Sequence, residues 1–168
     1  MPSPAVIREF LAKYTPEVAA EAKDARKHLF DHFPQGFELV YDNYNALVFA
    51  FASSERASDA ILSIAVYPKW VTLFFANGTS LPDPAKLLEG SGSKFRSIRL
   101  QPASRLHEPA VQNLIAAAKA SVQAELGAAD PLTTVIKSVS TKQRSRKPPA
   151  KVAPAKLATR AKAPRSGA

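Results

Sequence analysis

The chain has 168 residues, no cysteine, and a net charge of +9 from 23 Lys and Arg against 14 Asp and Glu. Zero Cys excludes disulfides, thiolate metal sites and a Cys nucleophile, and suits a reducing compartment. No apolar run nears the ~20 residues that cross a bilayer, and Met1-Pro2-Ser3-Pro4 lacks the basic-then-apolar start of a secretory signal, so the sequence reads as a cytoplasmic protein of bacterial style without a membrane partner.

In chain order, Ser3-Pro4 and Thr15-Pro16-Glu17 pair an N-cap with a first-turn proline, which predicts two helix starts. In the second helix Val18, Ala22, Ala25, Leu29 and Phe33 recur at helical spacing, and Pro34 with Gly36 ends it. Four runs with strand character follow: Phe37 to Tyr41, Ala46 to Ala52, Ile61 to Val66 and Val71 to Phe75, separated by turn residues that suit an antiparallel meander. Asp83-Pro84 predicts a short helix through Leu88, and Ser97 to Leu100 a fifth strand. Pro109 opens a longer helix with the stripe Val111, Leu114, Ile115, Ala118 and Val122, for which Gly127 is a natural stop. Strands flanked by helices, rather than alternating with them, indicate α+β with an antiparallel sheet of about five strands. The third and fourth strands are apolar in both phases, so either helices cover both sheet faces, the favoured reading, or one face is a contact surface for a protein partner or a second copy. Trp70 is then an edge-packing aromatic or an interface anchor.

Charge divides the chain at Asp130. Residues 1–130 hold 13 cations and all 14 acids, whereas 131–168 hold ten cations and no acid. The first is a near-neutral body long enough for one domain. The second has no aromatic residue with which to build a core and is expected to be a disordered Lys/Ala/Pro-rich tail. Its cations Lys142, Arg144, Arg146, Lys147, Lys151, Lys156, Arg160, Lys162 and Arg165 are spaced to meet phosphates without reading bases, a non-specific nucleic-acid role. A solubilising or localising extension is the alternative.

Within the body, helical geometry places Asp24, His28, Asp31 and His32 on one flank of the second helix. Two histidines four apart can share a divalent ion with a carboxylate beside them. The same two histidines near a helix C-terminus also simply complement the dipole, and that reading is preferred. Gly90, Gly92, Lys94 and Arg96 can present N–H groups and cations to an anion, or serve as a tight connection in which Arg96 pairs with Asp83 or Glu89. His107 beside Glu108 suits a helix start. With no nucleophile elbow, zinc-protease helix or dinucleotide fingerprint, an enzyme is the least favoured class.

The stretch Tyr67-Pro68-Lys69-Trp70-Val71-Thr72-Leu73-Phe74-Phe75-Ala76-Asn77-Gly78, followed by Leu81-Pro82-Asp83-Pro84, Leu87-Leu88, Gly90-Ser91-Gly92 and Arg96, resembles the YdhG-like domain family. Glu38-Leu39-Val40-Tyr41 and the helix from Pro109 extend the resemblance over roughly residues 5 to 125. It implies a frataxin-like α+β fold and, from one member regarded as an iron chaperone, Fe(II) as a ligand, although the body lacks the acidic ridge of frataxin-type iron sites. The leading expectation is therefore a non-enzymatic YdhG-like binding domain that handles iron or contacts a protein partner. The competing one is a nucleic-acid-associated protein anchored by its tail.

Overall fold

Thr15 begins the longest helix by accepting a hydrogen bond from the Val18 N–H with its hydroxyl, while Pro16 fills the first turn, where no N–H is needed. The structure, a computed structural model, describes residues 4–149. Helix α1 spans Pro4–Ala12 and α2 Pro16–His32. Five strands follow: β1 Phe37–Asp42, β2 Leu47–Ala52, β3 Ala60–Val66, β4 Val71–Phe75 and β5 Arg96–Leu100. Then come α3 Pro109–Ala120, the short α4 Gln123–Gly127 and a sixth strand, β6 Thr133–Val139. The Ser3 cap lies outside the described residues.

The sheet order is β5-β4-β3-β2-β1-β6. The first five strands form the expected antiparallel meander, but β6 lies parallel to β1, so the α+β fold has a six-stranded mixed sheet. The expectation of a disordered segment from 131 onward is thereby corrected for 131–149. Thr133 to Val139 is rich in β-branched residues, and it pairs with an edge that β1 would otherwise leave open. A parallel partner must return from the far end of the sheet, and the α3–α4 passage supplies that crossover.

Among the described residues, helices cover one face of the sheet only. Phe10, Leu11, Val18, Ala22 and Leu29 pack with Val111, Leu114 and Ile115 into a single core against Val40, Phe49, Phe51, Leu62, Ile64, Leu73 and Ile98. On the opposite face Leu39, Ala50 and Ala52 form a second cluster with Phe37, Tyr41, Ala60 and Val135, all from the sheet and its edge. The reading with helices on both sides is therefore corrected. Strands with apolar residues in both phases here reflect a covered face backed by a helix-free one.

Two smaller expectations also change. The residues after Asp83 do not form a helix. The Asp83 carboxylate instead accepts from the Leu87 and Leu88 N–H groups, both at 2.9 Å, and Lys86 takes φ 53°. A left-handed residue in the middle of the segment breaks the helical ladder, and the carboxylate takes the N–H groups that the ladder would have used. The helix from Pro109 stops at Ala120, well before Gly127, and the chain bends at Ser121 and Val122 before α4.

Candidate functional site

Three of the four side chains of the histidine flank, Asp24, His28 and Asp31, bond to residues outside the set. His28 Nε2 lies 2.8 Å from Gln112 Oε1 on α3. Asp31 accepts from Lys27 at 2.9 Å, and the Asp24 carboxylate lies 2.9 Å from His107 Nε2. His107, in a 3-10 turn over Ala103–His107, is the residue that sequence spacing missed, because only the tertiary fold brings it to α2. Its ring centroid is 5.1 Å from that of His28, which is 4.7 Å from that of His32. Burial, then the neighbouring His28, lowers the His32 pKa below its ordinary value, so the neutral imidazole is favoured there. Among the described residues no group of three or more His, Cys, Asp or Glu is arranged to hold a metal. With both carboxylates committed to cations or imidazole, these residues do not fit an Fe(II) cargo site.

The Gly90 to Arg96 loop is held by its own arginine. Arg96 Nη1 donates to the Gly92 and Phe95 carbonyls at 2.6 and 2.7 Å, rather than to Asp83 or Glu89 as expected. Gly90 sits at φ +139°, in the region that favours glycine. Lys94 is exposed. A guanidinium already satisfied by loop carbonyls leaves less for an anion, so this segment has the structure of a self-braced connection.

The cations of the C-terminal segment divide sharply. Arg146 is buried at 3% exposure, and its Nη2 donates to Asp42 Oδ1 at 2.8 Å and to the Asn43 carbonyl. Its Nη1 reaches the Tyr44 carbonyl. A guanidinium closed in this way is unavailable to a phosphate, which corrects its assignment to nucleic-acid binding. Lys142, Arg144 and Lys147 are exposed. Arg144 also donates its backbone N–H to Tyr44 and carries its guanidinium 5.9 Å from that ring. Lys151, Lys156, Arg160, Lys162 and Arg165 lie outside the described residues.

Trp70 belongs to the helix-free face. Register places Phe37, Leu39 and Tyr41 of β1 beside Val48, Ala50 and Ala52 of β2, then Ser63 and Ala65 of β3, Thr72 and Phe74 of β4, and Ser97 and Arg99 of β5. Small residues on the two central strands make a floor, and half-buried aromatics rise on either side of it. The strand residues that register places on this face include one cation, Arg99, and no acid, while Lys137 sits at the β6 register shift, 3.9 Å from Glu55. Arg99 lies 3.9 Å from the Trp70 ring centroid, and Tyr67 packs 6.1 Å away on the other strand of the β3–β4 turn. This cation-on-indole contact fixes the orientation of the largest apolar side chain on the face. The surface can bind by burial and shape. No family of known proteins, no curated protein and no solved structure matches the chain.

Proposed function

We propose that the chain is a non-enzymatic binding domain of the YdhG-like, frataxin-like kind, which engages a protein partner through the helix-free face of its sheet. The observation that carries this reading is the face itself: Phe37, Tyr41, Phe74 and Trp70 stand half-buried around the floor of Ala50, Ala52 and Ala65. An apolar floor with aromatic walls is the composition of an interface centre. The cation at its margin, Arg99, favours a partner with an acidic rim.

Photo-crosslinking in cells tests the reading, with the reactive residue at Phe74 and, as a control on the helical side, at exposed Glu17. The expected result is one protein captured at position 74 and not at 17. Once purified, it should bind the chain and lose about ten-fold or more in affinity to Phe74→Lys. Equal capture at both positions, no capture at either, or undiminished affinity of Phe74→Lys would remove the proposal.

A further inference from the structure

At the end of the sheet formed by the β3–β4 turn, the body and the C-terminal segment enclose a cleft of about 670 Å³. Tyr67, Lys69 and Trp70 line it from the turn, and Arg144, Lys147 and Pro148 from the segment after β6. No acidic residue lines it. The segment is not loosely placed there. The Ser140 N–H donates to the Asp42 carbonyl, the Arg144 N–H to the Tyr44 carbonyl, and the buried Arg146 anchors it between them. Arg144 and Lys147 are therefore held opposite the two aromatic rings by a fixed backbone.

We propose that this cleft binds a nucleotide unit, with its planar base against the Trp70 and Tyr67 wall and its phosphate among Lys69, Arg144 and Lys147. The volume is that of a site for a ligand of nucleotide size. Rings supply a stacking surface that accepts any base, and cations spaced along one strand of backbone supply phosphate contacts. Arg99 over the indole holds the ring in place. The sequence alone argues against base stacking by the C-terminal cations, because every aromatic residue precedes position 96. The fold removes that objection by bringing cations of the last third of the chain to the aromatics of the β3–β4 turn. This site shares Trp70 with the partner-binding face but differs from it in requiring the C-terminal segment and an anionic ligand.

Trp70 is the single tryptophan, so the intrinsic fluorescence of the full-length chain reports on the cleft directly. The chain is titrated with a single-stranded oligothymidylate of about ten nucleotides, with a mononucleotide, with an abasic chain of the same charge, and with polyglutamate. The expected result is quenching by the oligonucleotide or the mononucleotide, whichever is the natural form, and none by the abasic chain or the acidic polymer. Trp70→Ala should weaken binding about ten-fold or more, with Trp70→Phe retaining most of it. Replacing Arg144 and Lys147 together by Ala should reduce the salt slope by about 1.5. Unquenched fluorescence at saturating oligonucleotide would overturn the proposal, as would equal affinity for the abasic chain or polyglutamate. The comparison of ligands on the unaltered chain decides the question even where Trp70→Ala does not fold.

Discussion

Asp42 is 1% exposed at its side chain and has two cationic partners, Lys13 at 2.7 Å and Arg146 at 2.8 Å. Burial pushes its carboxyl upward, but hydrogen bonds led by that from Lys13 outweigh burial and hold it below the ordinary carboxylate range. A depressed folded-state value means that the carboxylate stabilises the fold above its unfolded pKa, near 4, and that this contribution is lost as pH falls through the lower, folded value. Arg146→Ala removes one partner and leaves the buried carboxylate with Lys13 as its one remaining cationic partner. We expect a loss of about 3 kcal/mol, measured by urea denaturation at neutral pH. Asp42→Asn should flatten the decline in stability below about pH 4 relative to the unaltered chain. An unchanged acid limb would assign that decline to other carboxylates. Nothing in the sequence marks Arg146 among its basic neighbours, because burial of one cation in a run of ten depends on a carboxylate over a hundred residues earlier.

At the level of elements, the helix starts at Pro4, Pro16 and Pro109 and strands β1 to β5 were legible, because proline caps, helical stripes and short β-branched runs are local signals. β6 was not. Its residues Thr133, Thr134, Val135 and Ile136 have strand character, but they sit in a segment whose charge and lack of aromatics describe a solvated tail. What decides its fate is long-range: β1 offers an open edge, and Glu38, wholly buried, accepts from Thr134 at 2.7 Å as well as from Arg26 at 2.6 and 2.8 Å. Of the candidate site, Trp70 and the exposed Arg144 and Lys147 could be named singly, but their shared cleft could not, since register and crossover set it. The boundary drawn at Asp130 therefore cuts through the domain. A chain ending at Asp130 loses the strand, the Thr134 bond to Glu38 and the Arg146 bond to Asp42 together. We expect it to be several kcal/mol less stable and prone to associate through the bared β1 edge, whereas a chain ending at Pro149 should melt as the full chain does. Differential scanning calorimetry with sedimentation of the two truncated chains checks this. Equal melting of both would show that β6 adds nothing to the fold.

For the whole molecule, charge remains concentrated toward the C-terminus, but the ten cations of 131–168 do not act as one set. Arg146 is closed inside an ion pair, and Lys137 stands on the sheet 3.9 Å from Glu55. Eight are left for a polyanion: Lys142, Arg144 and Lys147 on the described surface, and Lys151, Lys156, Arg160, Lys162 and Arg165 beyond it. Each duplex phosphate neutralised contributes about −0.9 to the slope of log K against log salt, so binding through this segment has a limiting slope of about −7. Ending the chain at Pro149 removes five cations and should reduce the magnitude by about 4.5, leaving the domain folded. Arg146→Gln should leave the slope of the folded protein unchanged despite removing a positive charge, because a guanidinium bonded to Asp42 displaces no counterion from DNA. Fluorescence anisotropy of a labelled duplex across a salt series measures all three. A slope steeper than the limit would require cations of the body, such as Lys69 or Arg99, to join the contact. A slope that falls by about one unit with Arg146→Gln would mean that the C-terminal strap detaches from the sheet when DNA binds.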